Sequence, residues 1–270
     1  MFDFSPSDPR YASISQVIWK ALPSLQDHRL VIEARDPDAK TVRAYCLDLK
    51  DDQLTTISVE LSWMDQLVAV DQGVSIWQGV GDAGIPDPRG IIVIDIASGT
   101  ALWSNEEITF VRFEPEAIVA QVRANPGEYL YLDRYSGELQ HQLDVAQLPL
   151  PRLDQFEQTR HAGIRFPGHH IPGSAQYTVV ARQVRRDTGV DITGPISLLN
   201  TKHTQVVHTY YEDGGATRSQ MLLRGPDPEP MIIDTGTYPS GYTVDPFFLA
   251  GEFLIWIRFP DTIGYLFMPT

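Results

Sequence analysis

The chain has 270 residues, 43% of them hydrophobic, and its 21 basic and 35 acidic residues leave a formal net charge of −14. That charge repels phosphate backbones and anionic membrane surfaces, so neither nucleic acid nor membrane is an expected partner. The single cysteine excludes an intrachain disulfide, and no apolar run reaches the roughly 18 residues that a membrane-spanning helix needs.

In chain order, the segment from Met1 to Arg10 lacks the basic start and apolar run of a secretory leader, and a cytoplasmic protein is expected. Two readings compete over Tyr11 to Leu22: a short helix entered through Asp8-Pro9, or a strand in which Val17-Ile18-Trp19 pairs with the end of the chain. Arg29 to Ala34, Gln66 to Val70, Val74 to Gln78, Glu116 to Arg123, Gln176 to Val184, Gln205 to Tyr211 and Ala216 to Leu223 all read as strands. They are short, β-branched or aromatic, and bounded by Gly, Pro, Asp or Asn. Phe247 to Ile257 and Ile263 to Met268 read as strands that lack a full partner, and a second short helix is expected near Leu153.

Within this pattern lies a repeat. Ile91 to Trp103 reads as an apolar strand, Asp95, a turn through Ser98-Gly99, and a second strand; Tyr129 to His141 follows the same grammar with Asp133 and Ser136-Gly137. The Asp stands four residues before a Gly that supplies the left-handed backbone of the turn, and its carboxylate is placed to cap the turn amides. A weaker copy runs from Val42 to Val59, with Asp48 matching and Asp52 in the place of the Gly; degenerate copies follow at Leu199-Asn200 and Ile233-Asp234. Taking Trp19, Ile57, Trp103, His141, Val207 and Tyr242 as equivalent positions gives spacings near 40 residues with one long gap. The expected fold class is therefore all-β: a single β-propeller domain over 1–270 with about six blades. Pairing of the N- and C-terminal strands is expected to close it, and an insertion around 150–175 accounts for the long gap.

Chemical motifs are sparse. Gly79-Val80-Gly81-Asp82-Ala83-Gly84 has the letters of a dinucleotide fingerprint, but Pro86, Pro88 and Gly90 lead into a strand where a phosphate-binding helix should begin. Gly79 to Gly90 is read instead as a long hairpin loop, with Asp82, Asp87 and Arg89 as its reactive members. His203 and His208, five apart, would face opposite ways on one strand, as would the adjacent His169 and His170. No metal site and no cofactor is expected, and Cys46 inside an apolar strand reads as a packing residue. One charge anomaly stands out: Arg152 to Arg186 carries six arginines against two acids. Arginine suits bidentate contact with carboxylate or phosphate, so Arg160, Arg165, His169 and His170 are candidates to hold a small anionic ligand or an acidic partner surface. Pairing of these arginines with the chain's own acids is the competing account.

The segment carrying Asp95, Gly99 and Trp103 resembles the repeat of quinoprotein-type propellers, which implies the fold; a vicinal cysteine pair for quinone chemistry is absent. Gly90, Ile91, Ile92, Asp95, Gly99 and Trp103, with Ile108 to Phe110 following, also resemble an uncharacterised bacterial domain family seen mainly in the Bacteroidota. That resemblance implies a bacterial cytoplasmic context and transfers no site. The leading expectation is a non-catalytic binding or protein-interaction propeller. The alternative is a small-molecule hydrolase or lyase whose site is pooled from several blades, which would leave no linear motif.

Overall fold

Four hairpin turns in this protein are built by an aspartate that satisfies its own turn. Asp48 Oδ1 accepts the amides of Lys50 (2.9 Å) and Asp51 (3.0 Å), Asp95 those of Ala97 (3.3 Å) and Ser98 (3.0 Å), and Asp133 those of Tyr135 (3.0 Å) and Ser136 (2.8 Å). Four residues after each Asp the backbone is left-handed, at Asp52 (φ 59°), Gly99 (φ 69°) and Gly137 (φ 73°). Asp36 makes a further copy, holding the amides of Asp38 and Ala39 at 3.0 Å with Lys40 at φ 52°. Hydrogen bonds from the amide and hydroxyl of Ser136 hold the Asp133 carboxyl below the usual carboxylate range. Burial opposes the same effect at Asp95, but hydrogen bonds from Ser98 and Ala97 outweigh it and lower that carboxyl too.

The glycines have a second duty. A Cβ on Gly137 would lie 2.7 Å from the Trp103 ring, and one on Gly99 would lie 3.4 Å from the Ile57 Cα. The outer strand of one hairpin module thus rests on the turn of the next. Hydrogen bonds fasten both contacts, from Trp103 Nε1 to the Arg134 carbonyl (3.1 Å) and from the Ser58 amide to the Gly99 carbonyl (3.0 Å).

The computed structural model describes residues 8–81, 87–144, 163–225, 229–238 and 246–268. Among them the chain is all-β apart from one helix, with five antiparallel sheets in two compact units, 16–162 and 1–15 with 163–270. After β1 (Arg10–Ser13), which belongs to the second unit, the first unit runs through three four-stranded meanders in sequence order. These are β2 (Val17–Ser24), β3 (Arg29–Asp36), β4 (Thr41–Asp48) and β5 (Gln53–Ile57); β6 (Asp65–Asp71), β7 (Val74–Val80), β8 (Pro88–Asp95) and β9 (Thr100–Asn105); and β10 (Ile108–Phe113), β11 (Ala117–Val122), β12 (Glu128–Asp133) and β13 (Leu139–Asp144). The first strand of every meander carries a bulge against the second, at Trp19, Val68 and Val111. Val31, Ala44, Cys46, Leu67, Trp77 and Ile94 form the core between the first two sheets, and Ile76, Val93, Ile118 and Ala120 lie in the next. Cys46 is buried there, and burial pushes its thiol up to about 11, as a packing residue requires.

In the second unit the sequence continues through β14 (Ile164–Arg165), β15 (Gly168–His170), α1 (Ala175–Thr188), β16 (Ile192–Asn200), β17 (Gln205–Asp213), β18 (Ala216–Arg224), β19 (Met231–Tyr238), β20 (Phe247–Ala250), β21 (Phe253–Arg258) and β22 (Thr262–Phe267). One sheet has the order β15-β16-β17-β18-β19 and the other β1-β22-β21-β20-β14. Val206, Met221, Leu223, Ile233, Phe247, Leu254, Trp256 and Leu266 share one core cluster. Gly264 lies opposite Trp256, where a Cβ would come within 2.1 Å of the indole.

Several expectations are corrected. Tyr11 to Leu22 holds strands and no helix, and the strand that pairs with the C-terminal β22 is Arg10–Ser13, while Val17–Trp19 begins β2 and pairs with β3. Trp19 and Ile57, counted as successive repeats, lie on the first and last strands of one sheet, and the described residues form five sheets. Phe247 to Ile257 is a hairpin broken at Gly251. Gln176 to Val184 is helical: Ser174 caps the N-terminus by accepting the Tyr177 amide (3.2 Å), Gly189 ends it at φ 73°, and Val180 and Val184, one turn apart, bury on the sheet. The loop expected over Gly79 to Gly90 is shorter, since Gly79 pairs with Arg89 and Val80 with Pro88. The helix expected near Leu153 and much of the insertion around 150–175 lie outside the described residues.

Gly137→Ala should destabilise the protein by more than the ~1–3 kcal/mol typical of a left-handed non-glycine residue, because the Trp103 ring must also shift. Pairing it with Trp103→Ala in urea melts should recover part of the loss.

Candidate functional site

The basic candidates occupy the second unit. Arg165, on β14, donates from Nη2 to the carbonyl of Asn200 at the end of β16. His169, on the edge strand β15, sits opposite Ser197 of β16, its Nδ1 3.1 Å from the Ser197 hydroxyl. Both side chains therefore reach the same strand, three residues apart, and both residues are exposed. His170 pairs with Ile196 in the same extended run, so it faces away from His169 and does not join it. Arg160 lies outside the described residues, as does Asp82. Ser197 is only 2% exposed, so its hydroxyl orients the imidazole and is not open to a substrate.

In the first unit, Asp87 pairs with Arg123 at 3.4 Å, and the Arg89 guanidinium folds over Gly81, where a Cβ would lie 2.7 Å from Nε. Gly81 donates its amide to the Asp87 carbonyl at 2.8 Å. The glycines of the fingerprint-like stretch thus permit close strand and side-chain approach, and strand β8 follows them.

Three buried polar sites lie apart from these candidates, two of them, the Glu33–Arg35 pair and Arg134, unmarked by any motif. The first is Glu33 and Arg35 on β3, fully and almost fully buried. Arg35 donates to Glu33 Oε1 (2.6 Å), the Trp63 carbonyl (2.6 Å) and the Asp65 carbonyl (2.7 Å), and its guanidinium lies between the rings of Trp19 (5.2 Å) and Trp63 (4.9 Å). The other oxygen of Glu33 accepts the Leu67 amide at 2.8 Å, and Lys20 Nζ donates to the Leu67 carbonyl at 2.9 Å. Opposite charges two apart in the otherwise apolar run Leu30 to Arg35 are the available signal, since such a pair shares one strand face.

The second is Arg134, 1% exposed, which pairs with Asp71 (3.2 Å), donates to the carbonyls of Glu114 (2.8 Å) and Pro115 (3.3 Å), and lies over Phe113. Burial raises the Asp71 carboxyl despite that arginine. The third is His208 on β17, fully buried, its Nε2 3.2 Å from Thr235 Oγ1, which is 2.7 Å from Ser219 Oγ. Tyr210 meets it edge-on at 4.8 Å, and desolvation lowers its pKa to about 3. A lone His within Val206 to Tyr210 marked it in sequence. It is a neutral core residue, closed to solvent. Among the described residues, no group of three His, Cys, Asp or Glu side chains is placed to hold a metal ion.

With this geometry in view, residues 24–103 match a domain family of unknown function, DUF4905. No curated protein matches the chain. Similar solved structures include a chain of a mitotic checkpoint complex (7% identity, covering 100% of this chain and 94% of that one, TM-score 0.41). BamB from Moraxella catarrhalis is similar at 10% identity, 94% and 84% coverage and TM-score 0.34. The β-propeller domain of the Trilobed protease from Pyrococcus furiosus is similar at 8% identity, 94% and 94% coverage and TM-score 0.35.

Arg35→Ala should cost about 3–5 kcal/mol in chemical denaturation, because it strands a buried carboxylate, and Glu33→Gln in the same background should return part of it. His208 binds its proton far more weakly folded than unfolded, so the unfolded chain takes up more protons as pH falls from about 6.5 toward 3. Folding stability should fall across that window with a contribution of up to about 1.4 kcal/mol per pH unit, and His208→Leu should flatten this limb in pH-dependent melts.

Proposed function

We propose that the five sheets are blades of one β-propeller and that it is a non-catalytic binding module, taking a small anion or an acidic protein surface at Arg165 and His169. Support for the propeller comes from three successive meanders that share one bulge position, and from the pairing of β1 with β22 within a single sheet. The match over residues 24–103 to a domain of unknown function adds no activity to this reading.

The carrying observation for the site is the alignment of Arg165 and His169 on β16. An exposed guanidinium and an exposed imidazole are held on one strand by Asn200 and Ser197, so their order is established before any ligand arrives. A planar guanidinium matches the paired oxygens of a carboxylate or phosphate. The rest of the chain is strongly acidic, which makes a basic site of this kind selective in where an anion approaches.

Calorimetric titration with inorganic phosphate, citrate and a hexaglutamate peptide tests this. At least one should bind saturably, and Arg165→Ala with His169→Ala should weaken it at least tenfold while leaving Tm within a few degrees. Absence of binding by all three probes, or binding indifferent to the double substitution, would overturn the site.

A further inference from the structure

Arg165 is fixed through one carbonyl, so whatever fixes that carbonyl also fixes the guanidinium. The Asn200 oxygen that accepts Arg165 Nη2 belongs to the peptide unit whose nitrogen is that of Thr201. A trans peptide is planar and directs its C=O and N–H to opposite sides. The Thr201 amide donates to the Thr204 carbonyl at 2.8 Å, across the turn that joins β16 to β17, and this directs the Asn200 carbonyl outward, to the side from which Arg165 of β14 reaches it. The turn itself is held by the Thr201 hydroxyl: Oγ1 accepts the amides of His203 (3.3 Å) and Thr204 (2.8 Å) and donates to the Thr204 carbonyl (3.0 Å). The Asn200 side chain is held separately. Its Oδ1 accepts Gln205 Nε2 (3.1 Å), Gln205 Oε1 accepts Arg224 Nη1 (2.7 Å), and Arg224 Nε donates to Asp187 Oδ2 of α1 (2.9 Å). Asn200 pairs with Gln205 and Gln205 with Arg224 across β16, β17 and β18, so these three side chains share one face of the sheet.

We infer that Thr201 and Gln205 are positioning residues of the anion site, acting on Arg165 through the backbone and the side chain of Asn200. The inference rests on the reading of Arg165 and His169 as that site, and it names what holds the site in place. Neither residue needs to touch the ligand. An exposed arginine loses side-chain freedom when it binds an anion, and that loss shrinks when the guanidinium is already ordered. Here the ordering is done on folding, by a turn 35 residues away in sequence. Because the anchor is a neutral carbonyl and not a carboxylate, the guanidinium keeps its full charge for an anion. Removing the Thr201 hydroxyl leaves two turn amides without their acceptor, one of them on Thr204, which is only 5% exposed. The turn must then rearrange, and the plane of the peptide between Asn200 and Thr201 rotates with it. Removing the Gln205 amide releases the Asn200 side chain and its link to Arg224 while leaving the hydrogen bonds of Thr201 in place.

Titration calorimetry with phosphate, citrate and the hexaglutamate peptide, beside the Nε–H NMR signal of Arg165 assigned with Arg165→Ala, tests the inference on the full chain. Thr201→Val, close in shape but without the hydroxyl, should weaken the tightest-binding probe about fivefold and Gln205→Leu about threefold, the scale of lost neutral hydrogen bonds. Both should move the Arg165 signal toward that of a free arginine before any probe is added, with Tm within a few degrees of wild type. Thr201→Ser should keep both affinity and signal. In an Arg165→Ala background neither substitution should weaken the probe further. An Arg165 signal unchanged in both Thr201→Val and Gln205→Leu, or a further loss of affinity in the Arg165→Ala background, would overturn the inference. If Thr201→Val melts much earlier than wild type, the signal in Gln205→Leu decides. Failure of all three probes on the wild-type protein would overturn the anion site itself, whereas an Arg165 signal that still responds to Gln205→Leu would uphold the positioning.

Discussion

The first unit turns on one ion pair sealed from water. Placing Glu33 and Arg35 in the interior costs several kcal/mol per charge, and the pair persists because nearly every polar atom on it is engaged. Its partners are distributed across a seam: the carboxylate binds the Leu67 amide of β6, and the guanidinium binds carbonyls at Trp63 and Asp65, just before and at the start of that strand. Apolar packing of Val31, Cys46, Leu67 and Trp77 supplies attraction between the two sheets but is non-directional. The ion pair supplies direction, because only one relative placement satisfies all its hydrogen bonds.

The next seam solves the same problem with different residues. Gln78 Oε1 accepts the Phe110 amide at 2.9 Å, immediately before the bulge at Val111, as Glu33 accepts the Leu67 amide immediately before the bulge at Val68. A polar side chain on the second strand of one sheet thus serves the backbone of the first strand of the next. Arg134 adds a buried cation between the turn after β10 and Asp71 of β6. Neutral amide and charged pair are interchangeable here because what each must supply is an acceptor at a fixed place.

These seams also set what the surface offers. Arg35 is buried to hold sheets together, and its upper face becomes the support for Trp19; the exposed aromatic is a by-product of a core requirement, made rigid by it. In the second unit the short edge strands β14 and β15 anchor the side chains of Arg165 and His169 onto β16. His208, chemically the most suggestive side chain by type, is enclosed by Tyr210, Phe247 and Thr235 and contributes to packing.

Local chemistry was legible in the residues themselves. The Asp-to-Gly spacing determined the hairpin turns, down to Asp52 standing in for glycine, because a turn is stabilised by atoms within five residues of one another. Alternating apolar strands determined the all-β class for the same reason. The helix at Ala175–Thr188 was legible too, from Ser174, Gly189 and the Val180/Val184 spacing, but its β-branched residues outweighed those signals in the reading. The arginine-rich stretch was visible in the sequence, but only strand pairing sets His169 opposite Ser197 and His170 opposite Ile196, so that the two neighbours face opposite ways. The seam roles of Glu33, Arg35 and Arg134 could not be assigned from their neighbours in sequence: the backbone groups they bind on other strands lie 19 to 34 residues away, and burial, which converts an ordinary surface charge into the determinant of a seam, exists only after the sheets have packed.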